Sequence, residues 1–299
     1  MRLEVDTVSL DTLNNADRTA FMAAIGEVME LAPWVADEAY AKRPFAGIAA
    51  LYQTMTDAVR NAGEERQRAL INGHPDLAGK AAREGRLTVD STAEQAAAGL
   101  DRLTDEEFAT FHRLNDAYRT KFGMPFIVCV RRHGKESILR QFERRLQNDP
   151  ASEQETALTE IFRIAALRLD QRVIASDRLK VHGHLSTHVL DTHGGHPAAG
   201  VAIELCEVAA NGAMRSIKRA VTNADGRTDQ PLLSGMPVPI ATYELRFAVG
   251  DYFAGARVPL ADPPFLGVVP IRFAVAEPEG RYHVPLSVTP WAYGTYRGS

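Results

Sequence analysis

The sequence predicts a two-domain protein, an all-α helical domain followed by an all-β sandwich, because the spacing of its apolar residues changes near Ala175. From Leu10 to about Ile174 the apolar residues recur every three or four positions, as on a helix with one buried face. Beyond Lys180 they alternate within short segments that end in turns. Because 299 residues are enough for two hydrophobic cores, we expect one domain over residues 1–175 and the other over residues 181–299.

The helical pattern is clearest near the end of the first domain. The segment TALTEIFRIAALRLDQRV places one set of apolar residues on a single helical face: Leu158, Ile161, Phe162, Ala165 and Leu169. Arg168 falls at the margin of that face. An arginine there must extend to solvent, pair with an acid or hold a ligand.

Two turns of the helical domain carry polar residues. The segment NGHPDL predicts that a helix stops at Gly73, which leaves His74 at a helix end, where a histidine is usually exposed. The segment DSTAEQAAAGL predicts a helix start at Ser91 or Thr92. In this interpretation Ser91 is the cap and Glu94 reaches back to its amide, which explains Glu94 without any functional role.

The second half has the period of two that is typical of strands. Alternating or apolar segments are VHGHLSTHVL, VAIELCEV, YELRFAVGDYF, VVPIRFAV and YHVPLSV, and turns such as THGGHPAAG, NADGR and EPEG separate them. This pattern predicts a sandwich of roughly seven or eight short strands.

Composition excludes several classes of partner. A net charge of −4 and a pI near 6.2 give no basic surface for nucleic acid. No segment has the length of a membrane span, and the first residues lack the apolar stretch of a secretory signal. The two cysteines, Cys129 and Cys206, suit a reducing compartment. We therefore expect a cytoplasmic protein that binds neither nucleic acid nor membranes.

A cluster of histidines lies on one face of the first predicted strand. Alternation places four polar residues together, His182, His184, Ser186 and His188, and four others on the opposite face, Val181, Leu185, Thr187 and Val189. Three imidazoles on one face could bind zinc with an open coordination position. A polar outer face of a half-buried sheet is the more usual explanation of any single histidine here, and the spacing alone does not decide between the two.

Three segments together carry a family resemblance. LSTHVLDTHGGHPAAGVAIEL, TNADGR and YHVPLSVTPWAYGTYRGS occur in the order found in the 5-hydroxyisourate hydrolases of the transthyretin-like fold, and the chain resembles that family across residues 181–299. The closing YRGS is the most specific part, since transthyretin itself lacks it. The resemblance implies a metal-free hydrolase with the catalytic residues His188, Arg227, His283 and Tyr296 and with Arg297 and Ser299 against the substrate.

These residue types suit the opening of a cyclic amide. The reaction needs a base for water, a donor for the developing oxyanion and a group that fixes a polar ring. Imidazoles titrate near neutral pH, and a guanidinium offers a planar pair of donors. Arg227 also has an ordinary explanation, because it follows Asp225 and Gly226 in a turn.

The helical half carries a second resemblance. GHPDLAGKAA, STAEQAAAGLDRL, FGMPFIVCVR and ALTEIFRIAALRL resemble, in order, the 2-oxo-4-hydroxy-4-carboxy-5-ureidoimidazoline (OHCU) decarboxylases over roughly residues 8–175. The resemblance implies that His74 is catalytic, that Glu94 is its carboxylate partner and that Arg168 anchors the substrate. It also implies a pocket lined by Pro75, Ser91, Thr92, Ala93, Gln95, Phe126, Ile127, Val128, Cys129 and Val130.

The two implied activities fit one another, because the product of the hydrolase is the substrate of the decarboxylase. The resemblances therefore imply a bifunctional enzyme of urate catabolism that carries 5-hydroxyisourate through OHCU to S-allantoin without a metal or other cofactor. They also imply a homo-oligomer, dimer or tetramer, and functional coupling to a separate urate oxidase. Two alternatives remain open: a non-catalytic transthyretin-like binding protein with a helical oligomerisation domain, and a zinc-dependent amidohydrolase that uses His182, His184 and His188.

Overall fold

A computed structural model of the chain describes residues 7–78 and 88–298. The predicted site residue Ser299 lies outside the described residues. The chain divides into two compact units, Met1–Arg131 with Ile138–Val181, and Arg132–Ser137 with His182–Ser299. Over the described ranges, no helix is both long enough and apolar enough to cross a membrane.

The first half of the chain is helical, as predicted. Its helices are α1 Leu10–Asn15, α2 Arg18–Ile25, α3 Pro33–Tyr40, α4 Ile48–Arg60, α5 Gly63–Asn72, α6 Val89–Ala97, α7 Asp105–Phe122, α8 Lys135–Arg145 and α9 Pro150–Arg172. A short parallel pair joins β1, Val8–Ser9, to β2, Val173–Ile174. The predicted apolar face of α9 is buried in the core of this unit. Asp149 begins α9 by accepting hydrogen bonds from the amides of Ala151 and Ser152.

One predicted helix end is confirmed and one predicted start is wrong. Helix α5 ends with Gly73 as its cap. Helix α6 begins at Val89, and its cap is Thr88, whose side chain accepts from the amide of Ser91. Ser91 and Thr92 lie inside the helix because Thr88, three residues before Ser91, has extended backbone angles and a side chain able to cap.

The second half forms a β-sandwich, as predicted. Its strands are β3 His184–Ser186, β4 Val189–Asp191, β5 His196–Pro197, β6 Ala202–Val208, β7 Met214–Val221, β8 Leu233–Ser234, β9 Ala241–Ala248, β10 Val268–Val275, β11 Arg281–His283, β12 Leu286–Val288 and β13 Tyr293–Thr295. One antiparallel sheet has the order β10-β9-β6-β7, and the remaining strands pair as β11-β3-β8 and β13-β12-β4-β5. Their inward-facing apolar residues form one core.

The prediction that YELRFAVGDYF is a continuous strand is wrong in its second part. Strand β9 stops at Ala248, and helix α10 follows over Val249–Gly255. Val249 and Phe253 are four residues apart and both are buried, so a helical turn places both in the core.

Two neighbouring strands are interrupted at the positions of the predicted catalytic histidines. β3 and β4 flank His188, while β11 ends at His283 and β12 follows it. Parallel pairing continues across the break, because the amide of Val284 donates to the carbonyl of Ser186 and the amide of Leu286 donates to that of His188. The two histidines therefore lie on adjacent strands.

The alternation predicted for the first strand is confirmed. The even-numbered residues of the segment, His182, His184, Ser186 and His188, are half-buried, and their neighbours, Val181, Leu185, Thr187 and Val189, are buried. One face of the strand thus packs into the core, while the polar face stays accessible to a ligand.

Candidate active sites

A cavity in the helical unit gathers most of the residues predicted for decarboxylation. It has a volume of about 410 Å³, including the solvent at its mouth. Its walls are formed by Glu30, His74, Pro75, Leu77, Ser91, Glu94, Gln95, Phe126, Ile127, Val128, Val130, Ile164 and Arg168. Polar and charged groups thus share the cavity with a wall of aliphatic and aromatic side chains, as in many small-molecule sites.

His74 is buried, although a histidine beyond a helix-ending glycine is usually exposed. Only 8% of the residue is accessible, and its Nδ1 atom lies 2.9 Å from the carbonyl oxygen of Leu70. A carbonyl can only accept, so Nδ1 carries the hydrogen and Nε2 keeps its lone pair in the neutral ring. Burial lowers the pKa of His74 below its ordinary value. The imidazole is therefore neutral near pH 7 and able to accept a proton at Nε2.

This lowered pKa predicts a pH-dependent stability of the helical unit. The unfolded chain has an ordinary histidine pKa, about 6.5, so it binds more protons than the folded chain once the pH falls below that value. Stability is then present above about pH 6.5 and lost as the pH falls through the folded pKa. We expect the thermal midpoint of the helical signal at 222 nm to fall between about pH 7.5 and pH 5.5. His74→Asn should reduce that fall, and an identical fall in the variant would contradict the burial of a neutral ring.

Glu94 pairs with Arg168 rather than capping its own helix. Arg168 is only 3% exposed, and its Nε and Nη2 atoms each lie 3.0 Å from a carboxylate oxygen of Glu94. The structural explanation of Glu94 as a capping-box residue is therefore wrong, because a buried arginine from α9 takes both of its oxygens. No hydrogen bond joins Glu94 to His74 in the described part of the chain, although the negative charge of Glu94 raises the pKa of His74.

The segment from Phe126 to Val130 forms one wall but is not a strand. Its side chains line the cavity except for Cys129, whose amide donates to the carboxylate of Glu160 at 2.8 Å. The carbonyl of Ile127 accepts from Arg145 at 2.6 Å. Those two backbone groups are thus bound within the protein and are not free to bind a ligand. The predicted lining residues Thr92 and Ala93 also lie outside the cavity.

Of the cavity residues that the structure describes, three were not predicted from the sequence: Glu30, Leu77 and Ile164. For Glu30 there was a signal, since it is a charged residue within the apolar run VMELA. Leu77 and Ile164 look like ordinary core residues, and nothing in their local pattern separates them from the rest of the apolar set.

In the sandwich unit, a tight turn brings Arg227 to His188. Gly226 has a φ of 70°, and a Cβ atom there would lie 2.3 Å from the carbonyl oxygen of Val189, so only glycine allows the approach. The amide of Val189 donates to the carbonyl of Gly226, and Arg227 is paired with His188 across an antiparallel bridge. The NADGR turn thus fixes an exposed arginine beside the histidine.

The two predicted catalytic histidines lie in contrasting environments. The Nε2 atom of His188 is shielded from solvent and has no hydrogen-bond partner among the described residues. The Nδ1 atom of His283 lies 3.0 Å from the hydroxyl oxygen of Ser186. Burial lowers the pKa of His283, and electrostatic interactions with Arg227, His188 and His184 lower it further. The strand pairing and the bridge between His188 and Arg227 place these residues and His283 in one cluster, in which His283 offers a neutral imidazole suited to act as a base.

The YRGS segment reaches this cluster through Gly298. The amide of Gly298 donates to the carbonyl of His283 at 2.8 Å, and a Cβ atom at position 298 would lie 2.9 Å from Cδ2 of the imidazole. The guanidinium of Arg297 lies 4.7 Å from the ring centre of Tyr282, which holds the segment against β11. Tyr296 is 65% exposed.

The histidines of the zinc hypothesis do not form a cluster of metal ligands in the described part of the chain. Across residues 7–78 and 88–298, no three histidine, cysteine, aspartate or glutamate side chains come close enough together to hold a metal ion. His182, His184 and His188 share a face of the strand but do not converge on one point.

Comparison with known protein families assigns each unit separately. The OHCU decarboxylase family model matches residues 14–170. The model of the HIUase/transthyretin family, where HIUase stands for 5-hydroxyisourate hydrolase, matches residues 185–298. An OHCU decarboxylase of Halalkalicoccus jeotgali is 39% identical over 170 residues, which cover 57% of this chain and 94% of the relative. A 5-hydroxyisourate hydrolase of Deinococcus radiodurans is 55% identical over 118 residues, 40% of this chain and 98% of the relative.

A solved structure spans both units. The crystal structure of an (S)-allantoin synthase is 32% identical, covers 98% of this chain and 100% of its own, and has a TM-score of 0.50. The fold and the two clusters therefore define a two-domain protein in which a helical decarboxylase-type unit precedes a transthyretin-like sandwich. The chain belongs to the OHCU decarboxylase family through residues 14–170 and to the HIUase/transthyretin family through residues 185–298.

Proposed function

We propose that this chain hydrolyses 5-hydroxyisourate to OHCU in the sandwich and decarboxylates OHCU to S-allantoin in the helical unit. One observation carries the proposal: each family match falls on a unit with its own cluster of buried or half-buried titratable side chains. We assign decarboxylation to residues 1–175 and hydrolysis to residues 181–299, which retains the division expected from the sequence.

Hydrolysis requires a water molecule to attack a ring carbonyl. In the proposal, the imidazole of His188 or His283 takes a proton from water while the water oxygen joins the carbonyl carbon. Arg227 stabilises the developing oxyanion, with Tyr296 and Ser299 as hydroxyl donors and Arg297 as the residue that holds the segment. The ring C–N bond then breaks, and its nitrogen takes the proton. The single product is OHCU, which carries the new carboxylate and the new ureido group.

Decarboxylation requires an acceptor for the electron pair of the breaking C–C bond. As carbon dioxide leaves, that pair forms a C=C bond to the carbon that bears the ureido group, the π pair of the C=N bond moves to the ring nitrogen, and that nitrogen takes a proton from solvent. The Nε2 atom of His74 takes the proton of the ring hydroxyl and returns it to the carbon that bears the ureido group. Because the imidazole lies at one side of the cavity, protonation on a single face gives one enantiomer. Arg168, fixed by Glu94, holds the oxygens of the substrate.

The alternative of a non-catalytic carrier makes a different prediction for the same assay. We expect purified protein, mixed with freshly prepared 5-hydroxyisourate, to accelerate both the loss of its ultraviolet absorbance and the later loss of OHCU. A carrier would leave both rates at their uncatalysed values. A protein that accelerates only the first step would retain the hydrolase and lack the decarboxylase.

The remaining expectations from the sequence stay predictions. We propose that the chain works as a homo-oligomer, without an added cofactor and in the cytoplasm. A separate urate oxidase would supply 5-hydroxyisourate. Mass measurement by light scattering tests whether the chain is a homo-oligomer. Activity after exhaustive treatment with a chelator tests whether it works without a metal cofactor.

A further inference from the structure

Among the described residues that line the cavity, Glu30 is the one charged residue to which neither the sequence patterns nor the resemblances assign a role. It follows α2 in the loop before α3, is only 4% exposed, and lines the cavity with His74 and Arg168. A carboxylate buried to this degree needs several donors to remain ionised.

Three side chains supply those donors. The Oε1 atom of Glu30 accepts from the hydroxyl groups of Thr88 at 2.6 Å and Ser91 at 2.9 Å. Its Oε2 atom accepts from Ser91 at 2.7 Å and from Nη2 of Arg168 at 3.3 Å. Burial alone raises the pKa of a carboxyl group, but these hydrogen bonds and the charge of Arg168 outweigh it and lower the pKa of Glu30. Both oxygens are occupied, so Glu30 is poorly placed to exchange protons with a substrate.

We propose that Glu30 is a positioning residue for decarboxylation, an inference that rests on the proposed function. Through Thr88 and Ser91 it binds the first turn of α6, and through Arg168 it binds α9. It therefore fixes the helix that carries Glu94 and Gln95 relative to the arginine that holds the substrate. Without Glu30, both elements lose their shared partner inside the cavity.

The charge of Glu30 also shapes the binding of an anionic substrate. Glu30 and Glu94 contribute two negative charges, whereas Arg168 contributes one positive charge and His74 is neutral, so these four groups sum to −1. The carboxylate of OHCU would add a second negative charge to this region. As the C–C bond breaks, that negative charge leaves the carboxylate. The negative charge of the cavity therefore raises the free energy of the bound substrate more than that of the transition state.

The matched test is Glu30→Gln against Glu27→Gln, because Glu27 is exposed and only three residues away. For Glu30→Gln we expect kcat for decarboxylation to fall at least about tenfold, with KM unchanged or lower than in the parent, since the substrate meets less negative charge. For Glu27→Gln we expect both constants within about threefold of the parent. Hydrolysis of 5-hydroxyisourate, measured on the same samples, calibrates the enzyme concentration.

The pH profile separates positioning from a purely structural role. Glu30, Glu94 and the Leu70 carbonyl raise the pKa of His74, while burial and Arg168 lower it. Removing the charge of Glu30 lowers the pKa of His74 further, so the acid limb of the kcat profile should move to lower pH in Glu30→Gln. It should return toward the parent position in Glu30→Asp, which keeps the charge.

Three results would overturn the inference: kcat within threefold of Glu27→Gln, a loss carried by KM alone, or an acid limb that does not move. If Glu30→Gln loses its helical circular dichroism, Ser91→Ala decides, because it removes the donor shared by both oxygens and leaves every charge in place. Unchanged kcat in folded Ser91→Ala would then overturn the proposal. A parent protein that does not decarboxylate OHCU would refute the proposed function instead.

Discussion

Replacing His74 by asparagine is expected to slow decarboxylation about a hundredfold to ten-thousandfold, the usual range for a general acid or base. The asparagine amide can still donate to the carbonyl of Leu70, but the chain then lacks the Nε2 lone pair that takes and returns the proton. Hydrolysis should continue near the parent rate, because its residues belong to the other unit. The measurement follows OHCU consumption after rapid hydrolysis of 5-hydroxyisourate.

His112→Asn is the matched control for this change. His112 lies on α7, its side chain is 43% exposed and it pairs with Asp116, so the same substitution there should leave both activities unchanged. A loss of threefold or less in His74→Asn would remove His74 from the reaction. A comparable loss in His112→Asn would show that the assay reports general damage to the fold.

Deletion of residues 296–299 is expected to abolish hydrolysis while decarboxylation of separately generated OHCU survives. The deletion removes the backbone bond from Gly298 to His283, the glycine that packs on the imidazole, and the hydroxyl donors proposed for the oxyanion. It takes nothing from the apolar core of the sandwich. The comparison requires the hydrolysis rate together with the oligomeric mass by light scattering. Full hydrolysis by an intact oligomer would mean that this segment takes no part in catalysis.

A single methyl group tests the same contact more finely. In Gly298→Ala the new Cβ would lie 2.9 Å from Cδ2 of His283, so the ring or the segment must shift. We expect hydrolysis to fall at least about tenfold, since small misplacements of catalytic groups are costly. Gly255→Ala is the control, because a Cβ there meets nothing within 4 Å. Equal activity of the two variants would argue against a requirement for close packing at His283.

Features that follow from the periodic spacing of apolar residues were predictable from the sequence. The buried face of α9 and the alternation from Val181 to Val189 both follow from the chain's own spacing, and the structure confirms them. The order of the two domains was predictable for the same reason. The candidate site residues came from the resemblance of short segments to known families, since spacing alone did not decide between a zinc site and a polar sheet face.

Features that depend on a distant partner were not predictable. Glu94 fits a capping box locally, yet Arg168, far along the chain, takes its carboxylate. Ser91 looks like a cap, yet its hydroxyl donates to Glu30, and Thr88 caps the helix instead. In each case a buried charge-assisted hydrogen bond is stronger than the local alternative. No pattern within one segment reveals such a bond.

The enantiomeric composition of the product tests the proposed two-step reaction most directly. Fresh 5-hydroxyisourate is added to the purified protein, and the circular dichroism of the product is followed until the ultraviolet absorbance of both intermediates has gone. Uncatalysed decay protonates the ring carbon on both faces and gives a racemate, whereas His74 delivers its proton to one face. We expect rapid formation of S-allantoin with a stable dichroic signal, and a product without dichroism, formed at the uncatalysed rate, would contradict the proposed function.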